Sequence, residues 1–226
     1  MRIQKYFSEQ GILSRRETEE YIRQGFIAVN GGIVTDLGRQ IDPAVDRVEI
    51  VNRTKSEEKR TIAFNKPIGI VCSREESEGQ TIFDILPEAD GLNTVGRLDK
   101  ESEGLILLSN DGIITKKVTG EDHTIEKEYE VEVREDIKPW MLAELRSGPM
   151  LDGKPTIPAT VEFMDKHSFR IILKEGRKHQ IRRMADFARL NISNLKRVRI
   201  GPVRVKGIRP GSFRPLTAEE IAELKK

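Results

Sequence analysis

The sequence predicts an α+β protein with two folded parts joined by a polar segment. Residues 1–51 contain two helix patterns followed by strand patterns, residues 52–60 are polar throughout, and residues 61–226 mix many strand patterns with a few helices. Strands that do not alternate regularly with helices favour an α+β fold over a doubly wound parallel sheet. At 226 residues the chain is long enough for one small and one medium domain.

The N-terminal part begins with two predicted helices. Apolar residues at helical spacing predict a helix over residues 2–10, and Gly11 supplies the left-handed residue that ends it. Ser14 and Glu17 form a capping box, in which the hydroxyl accepts from one backbone amide and the carboxylate from the other. A second helix therefore runs over residues 15–24.

Strands follow the second helix. Residues 26–35 carry Asn30-Gly31 between two apolar runs, and this pair tolerates the positive φ angles of a tight hairpin turn. Alternating side chains predict a further strand over residues 47–51. The polar residues 52–60 are typical of a linker, which we expect to be flexible, so that the two parts act as tethered modules.

Strand patterns recur beyond the linker. In residues 125–133 the side chains repeat with a period of two, which places Ile125, Tyr129 and Val131 on one face and only glutamates on the other, so Tyr129 should point inward. Asn110-Asp111-Gly112 reads as a turn that closes a buried strand. The predicted strands after the linker are residues 61–64 and 70–72 on either side of a Pro/Gly turn, 104–109, 125–133, 168–174 and the alternating stretch 195–206.

Two helices are predicted near the C-terminus. The first would bury a stripe on one side; at about 100° per residue, Arg182 sits at the border of this stripe and Arg183 points well away. A second capping box, formed by Thr217 and Glu220, opens a terminal helix. The stripe of the first helix consists of Ile181, Met184, Ala185 and Ala188, and the terminal helix would pack Ile221 and Leu224.

The C-terminal segment is strongly basic on an otherwise acidic chain. Residues 176–214 hold twelve Lys/Arg and one acid, whereas the other 187 residues hold 27 bases and 36 acids. Segregated positive charge attracts a polyanion and makes its binding salt-dependent. The alternation of Arg197 and Arg199 with apolar residues predicts a basic strand face for backbone phosphates. The alternative is a solvated charged face, although such faces usually mix both signs.

Several classes of protein and site are not supported by the sequence. No apolar stretch approaches a membrane span or a signal peptide, so we expect no membrane partner. Cys72 is the only cysteine, which favours a reducing cytosol. His123, His167 and His179 are far apart without paired ligand spacing, and there is no Gly-rich phosphate loop or nucleophile elbow.

The first fifty residues resemble the S-four (S4) RNA-binding domain. The resemblance rests on Ser14-Arg15-Arg16-Glu17, on residues 25–31 and on Asp42-Pro43. In that family the second helix and the start of the hairpin present basic side chains to structured RNA. Arg16 and Arg23 lie seven residues apart on one helical face. The alternative for each of these arginines is ordinary surface charge.

Four ordered motifs in the remaining chain resemble the RsuA/RluB/RluE/RluF family of bacterial pseudouridine synthases. They are Asn65-Lys66-Pro67-x-Gly69, Gly96-Arg97-Leu98-Asp99, Glu126-Lys127-Glu128-Tyr129 and His179-Gln180-Ile181-Arg182-Arg183-Met184. The resemblance covers nearly the whole chain and is closest to the RluF branch, although Glu101-Ser102 stands where many members carry Asp-Thr. It implies a catalytic domain, residues 61–226, built on a mixed, mainly antiparallel sheet.

The resemblance also implies a reaction and three catalytic residues. Uracil is detached from C1′ of a uridine, turned and rejoined through C5, with neither cofactor nor metal. Asp99 would be the carboxylate that acts at the sugar, a role with precedent in glycosidases. Tyr129 would stack on the base, and Arg182 would pair with Asp99. Without the motifs, Asp99 would be read as a turn or capping residue and Tyr129 as a core residue.

RNA contacts are expected on both parts of the chain. The flipped nucleotide leaves a space that Arg97 would enter, because a stacked uridine cannot reach a pocket. The alternative for Arg97 is a salt bridge that braces its loop. The residues expected to contact RNA are Lys5, Arg15, Arg16, Arg23, Arg97, Lys178, Arg183, Arg197 and Arg199.

We therefore expect a cytoplasmic, monomeric enzyme whose partner is ribosomal RNA or a pre-ribosomal particle, with 23S RNA of the large subunit as the substrate. Transfer RNA and small-subunit RNA are alternative substrates. A non-catalytic RNA-binding or ribosome-assembly protein would use the same basic surface, but would have no use for Asp99, Tyr129 and Arg182 together. A nucleoside or glycosidic hydrolase is a more distant alternative, since it would release free uracil.

Overall fold

The structure is a computed structural model that describes residues 1–51, 58–73, 79–120 and 125–226. Most of the predicted linker, residues 52–57, and His123 therefore lie outside the described residues. No helix among the described residues is long and apolar enough to cross a membrane.

The N-terminal domain has the two helices and the hairpin that the sequence predicts. The helices are α1 (Ile3–Glu9) and α2 (Arg15–Arg23), and the antiparallel strands are β1 (Ile27–Val29), β2 (Gly32–Ile33) and β3 (Val48–Ile50) in the order β2-β1-β3. The capping box of Ser14 and Glu17 is formed in both directions. Asn30 and Gly31 have φ angles of 52° and 80°, as a tight hairpin turn requires.

The second domain is built on one sheet. Its strands run in the order β10-β11-β7-β12-β6-β4-β14, with β13 paired to β12 and β5 to β6. Every pairing except β12 with β6 is antiparallel, which confirms the expected mixed sheet. In chain order the elements are β4 (Thr61–Lys66), α3 (Ile82–Ile85), β5 (Asn93–Val95), β6 (Glu103–Ser109), α4 (Gly112–Thr119), β7 (Lys127–Val133), α5 (Pro139–Arg146), β8 (Met150–Leu151), β9 (Lys154–Pro155), β10 (Thr160–Asp165), β11 (Ser168–Leu173), α6 (Gln180–Phe187), β12 (Ile192–Ile200), β13 (Val203–Arg204), β14 (Phe213–Pro215) and α7 (Ala218–Lys225).

Strand β6 is the most deeply buried part of the sheet. Its residues 105–108 are all fully buried, and they alternate between two cores. Leu105 and Leu107 pack with α4 and α7, whereas Ile106 and Leu108 pack with α3 and β4. Burying four aliphatic side chains stabilises the fold by roughly 6–12 kcal/mol before chain entropy is counted. The loop that precedes β6 is therefore held at a rigid position.

The other half of the sheet has one apolar and one charged face. Helices α5 and α6 cover its apolar face. On the opposite face, which carries the glutamates of β7, Glu128 is only 6% exposed. Arg170 lies 3.2 Å and Arg199 2.5 Å from its carboxylate. Basic side chains of the neighbouring strands therefore cover Glu128 and pair with it.

A β-bulge corrects the predicted basic face of β12. The pairing of β12 with β7 shifts between Arg197, opposite Tyr129, and Arg199, opposite Glu128. One extra residue reverses the side on which the following side chains lie. Arg197 and Arg199 therefore lie on opposite faces of the sheet, and the prediction that they share one exposed face is wrong.

Helix α4 was not predicted, and it contacts the N-terminal domain. The predicted turn at Asn110-Asp111-Gly112 is the start of this helix, with the Asp111 carboxylate accepting from the Ile113 amide. Lys116 donates to the Ser8 carbonyl of the N-terminal domain at 3.0 Å. Gly112 lies so close to Ser14 that an added Cβ would stand 2.0 Å from the Ser14 Cβ. The two domains therefore touch where the end of α1 and the start of α2 meet α4.

Gly112→Ala should open this contact between the domains. Alanine favours the helix more than glycine does, so α4 itself should persist, whereas the new methyl group would overlap Ser14. We expect a larger radius of gyration by small-angle X-ray scattering. The double variant Gly112→Ala/Ser14→Gly should restore the wild-type value, because glycine keeps most of the capping ability of Ser14. Gly176→Ala is the matched control, since its Cβ would meet open space. An unchanged radius for Gly112→Ala would contradict the contact.

Candidate active site

A large cleft opens at the point where the loop before β6 meets the start of α6. Its volume is about 1490 Å³, and its walls come from residues 95–99, the end of α4, strands β7 and β12, the hairpin of β8 and β9, and residues 175–182. Pockets for small molecules usually measure about 300–1,000 Å³. The cleft therefore suits part of a larger molecule.

Asp99 stands in this cleft on the loop between β5 and β6. The loop is fixed by the buried Leu98, and by the Lys100 carbonyl, which accepts from the Gly69 amide at 2.8 Å. The Asp99 side chain is 32% exposed, so it is accessible to a ligand. Its carboxylate lies 3.4 Å from His179 Nε2 and 3.9 Å from Arg182 Nε.

Arg182 reaches the Asp99 loop from α6, as the helix phase predicts. The buried stripe of α6 is confirmed, since Ile181, Met184, Ala185 and Ala188 are at most 5% exposed. Arg182 Nη2 lies 3.3 Å from Ser102 Oγ and 3.4 Å from the Glu101 carbonyl. Its Nε is buried without a hydrogen-bond acceptor among the described residues. A movement of less than about 1 Å would give this Nε a hydrogen bond to Asp99.

Arg183 points away from Asp99 and holds a neighbouring hairpin. Both of its terminal nitrogens lie 2.8 Å from the Asp152 carboxylate, between β8 and β9. This bidentate hydrogen bond is the main reason that the pKa of Asp152 is lowered. Arg182 and Arg183 are thus adjacent in sequence but engage different walls of the cleft.

Tyr129 and Arg197 lie side by side on the floor of the cleft. Tyr129 is partly buried and packs against core residues on both sides. The Arg197 guanidinium carbon is 5.9 Å from its ring centroid. Arg197 is only 5% exposed, and its Nε donates to the Leu105 carbonyl at 2.6 Å. It is an internal brace, contrary to the surface position predicted for it.

The other predicted RNA contacts are distributed over several surfaces. Arg97 and Lys178 are exposed and line the cleft, whereas Arg199 lies on the opposite sheet face in ion pairs with Glu126 and Glu128. The residues predicted on the N-terminal domain do not line the cleft; they are the exposed side chains of Lys5, Arg15, Arg16 and Arg23.

Three cleft or loop residues were missed as site residues by the sequence analysis. His179 is the N-cap of α6 with a left-handed φ of 51°, which directs its ring to Asp99. Lys66 is fully buried and donates to the Pro67 and Ile70 carbonyls at 2.9 and 2.8 Å, which fixes the turn against the Asp99 loop. The third residue is Lys127, which lines the cleft. All three residues belong to the four motifs that carry the family resemblance, and this position in a motif is the signal that could have identified them.

The fully buried Lys66 and the partly buried Lys127 both have shifted pKa values. Burial lowers the pKa of Lys66, and the negative charges near it, including Asp99, oppose the shift. For Lys127, burial first and Arg197 second lower the pKa to about 8. The described residues contain no group of three or more His, Cys, Asp or Glu side chains that could hold a metal ion.

Comparison with known proteins gives a family for each domain. The RNA pseudouridylate synthase family matches residues 60–186, and the S4 domain matches residues 1–46. The dual-specificity RNA pseudouridine synthase RluF of Escherichia coli K12 is 38% identical over 100% of this chain and 79% of that protein. The ribosomal small subunit pseudouridine synthase A of Haemophilus influenzae is 34% identical over 100% of both chains. A crystal structure of a pseudouridylate synthase is 33% identical, covers 99% of both chains and has a TM-score of 0.73.

The burial of Lys127 predicts a pH-dependent gain of stability on its removal. Its pKa is about 8 when folded, against 10.5, so the charged amine destabilises the fold below pH 8, and this cost disappears as the pH rises from about 8 to 10.5. Lys127→Met should therefore raise the free energy of unfolding by about 1–2 kcal/mol at pH 7, after allowance for solvent screening. Urea denaturation at pH 7 and pH 10 measures the difference. Lys166→Met, at a lysine that is 73% exposed, is the control and should show no such gain.

Proposed function

The chain belongs to the RNA pseudouridylate synthase family, and on that premise we propose that it isomerises a uridine of 23S ribosomal RNA to pseudouridine with Asp99 as the catalytic carboxylate. The observation that carries the proposal is the position of Asp99, which is accessible in the cleft and faces Arg182 and His179. The volume of the cleft supports a polymeric substrate.

The reaction needs a negative charge at the sugar of the substrate. When the bond between C1′ and N1 breaks, its electrons leave with the uracil, and C1′ becomes electron-poor. The Asp99 carboxylate would add to C1′ or stabilise its positive charge. After the base has turned, C5 bonds to C1′ and displaces the Asp99 carboxylate wherever it had added there. N1 takes up a proton, and the proton of C5 is lost to a base. No atom of the uridine is lost, apart from exchange of this proton.

Arg182 would orient Asp99 for this step. Its guanidinium is held by Ser102 Oγ and the Glu101 carbonyl, so it cannot move freely away from the Asp99 loop. Its free Nε lies on the side of Asp99. A fixed cation beside a reacting carboxylate lowers the cost of reorganisation during the reaction.

Tyr129 and Arg97 would handle the target nucleotide. The ring of Tyr129 lines the cleft and offers a flat surface on which a uracil can stack, with the phenol near C5. Arg97 is exposed, two residues before Asp99, where it can enter the helix as the uridine leaves.

Ribosomal RNA is favoured as the substrate by the relatives of this chain. One similar protein is named for the small ribosomal subunit and another for the large subunit, of which the chain covers 60%. RluF is described as dual-specificity. These names support small-subunit RNA as an alternative to 23S RNA, and transfer RNA is a further alternative that rests on the basic surface alone. Mapping pseudouridines at nucleotide resolution in cells with and without this protein identifies the substrate.

Asp99→Asn should abolish pseudouridine formation and leave RNA binding intact. The amide keeps the shape of the side chain but removes both the nucleophile and the charge. We expect a fall in kcat of at least about a thousandfold, measured as tritium released from transcripts that contain 5-tritiated uridine. A non-catalytic RNA-binding protein would release no tritium in either form, and activity near the wild-type level in Asp99→Asn would contradict the mechanism.

Arg182→Ala and Arg183→Ala form a matched pair of adjacent substitutions. Arg182→Ala removes the cation beside Asp99, so kcat should fall by about a hundredfold or more. Arg183→Ala releases Asp152 and the hairpin of β8 and β9, so it should change mainly KM, by less than about tenfold. Single-turnover rates at saturating RNA separate the two effects. Equal effects on kcat would show that Arg182 has no special role.

A further inference from the structure

Lys127 is a cleft residue for which the proposed mechanism has no role. It is the first residue of β7, two positions before Tyr129, and both side chains line the cleft. On a strand, residues two apart point to the same face and stand about 6.6 Å apart. Lys127 therefore flanks the surface on which the target base would stack.

Lys127 forms no ion pair with an acidic side chain in the part of the chain that the structure describes. Its partners across the sheet are Leu173 of β11 and Ile200 of β12, which are 3% and 1% exposed. Among the described residues, no hydrogen bond or ion pair to its ammonium group is formed. The other charged or titratable side chains that line the same cleft are Arg97, Asp99, Tyr129, Asp152, Lys154, Glu175, Arg177, Lys178, His179, Arg182 and Arg197.

A partly buried, unpaired cation destabilises the free protein, so a structural role does not explain it. The nearby Arg197 makes the cost larger, because the two positive charges repel each other. An anion in the cleft would remove this cost. The substrate class brings one, since each nucleotide carries a phosphodiester one sugar away from its base.

We propose that Lys127 binds the phosphodiester of the flipped uridine and so positions that nucleotide on Tyr129. This inference rests on the proposed function, because it takes the cleft to hold an RNA nucleotide. Lys127 would then be a substrate-binding residue that affects affinity more than the chemical step. Arg197, which is occupied by the Leu105 carbonyl, leaves this contact to Lys127.

The first test compares Lys127→Met with Lys127→Arg in the full-length protein. The probe is 23S RNA transcribed in vitro with 5-tritiated uridine, and tritium release gives kcat and KM. At pH 7, Lys127→Met should raise KM about tenfold and leave kcat within about threefold, whereas Lys127→Arg should retain KM. Lys166→Met, at a residue that does not line the cleft and is 73% exposed, should match wild type.

The pH dependence gives a second readout. The free amine loses its charge as the pH rises through about 8, so KM of the wild-type protein should rise between pH 7 and pH 9.5. Lys127→Arg remains charged and should lack this rise, and Lys127→Met should lack it because it has no charge to lose. All other titratable groups of the cleft are present in each variant, so the difference reports Lys127 alone.

The salt dependence gives a third readout that a structural role would not change. Loss of one phosphate contact should reduce the slope of log affinity against log salt by about 0.7 for single-stranded RNA. Unchanged KM and salt slope in Lys127→Met would overturn the proposal. A large loss of kcat in both Lys127→Met and Lys127→Arg would also overturn it, because Lys127 would then act as a proton acceptor. If the wild-type protein released no tritium from any ribosomal transcript, the proposed function itself would fail. Tritium release by the wild-type protein but not by Asp99→Asn would show that the proposed function holds, so that the Lys127 variants test only the role of Lys127.

Discussion

The parallel pairing of β12 with β6 is the constraint on which the active site depends. At this seam Arg197 stands opposite Gly104, and a Cβ at residue 104 would lie 2.3 Å from the Arg197 carbonyl oxygen. Only glycine permits this approach, and its φ of 102° lies in a region that other residues rarely adopt. The pairing of β12 with β6 joins the two halves of the sheet. It therefore sets the position of the loop that carries Asp99 relative to the helix that carries Arg182. Two groups from distant parts of the sequence meet because these strands are neighbours.

The side chain of Arg197 also stabilises the pairing of β12 with β6. It donates to the Leu105 carbonyl of β6 and lies 3.5 Å from the Arg97 carbonyl of the Asp99 loop, while its guanidinium faces the Tyr129 ring. One buried cation thus connects β6, the Asp99 loop and β7. A buried arginine is tolerated where such acceptors surround it, and it positions polar groups with little freedom. Its Nη2 still lacks an acceptor among the described residues, as does Nε of Arg182.

The charged side chains on the two faces of the sheet differ in whether they form ion pairs. On the face away from the cleft, Glu128 is held between Arg170 and Arg199, so the cations there are already neutralised. On the cleft face, Lys127 has no such partner among the described residues, and its lowered pKa records the cost. Positive charge that is paired stabilises the sheet, whereas positive charge that is unpaired and accessible is available to RNA.

Local chemistry in the sequence determined the secondary structure and the motifs. The capping boxes, the Asn30-Gly31 turn and the stripe of α6 depend on residues a few positions apart, and each was found as predicted. The family resemblance likewise followed from short ordered motifs, and Asp99 and Arg182 do meet in one cleft. Only the tertiary structure decided which charged side chains are free. Alternation in β12 suggested one basic face, but a bulge after Arg197, visible only in its pairing with β7, turned Arg199 to the other side. Whether a charge is paired depends on residues as distant as Glu128 and Arg199, and no pattern within either strand contains that contact.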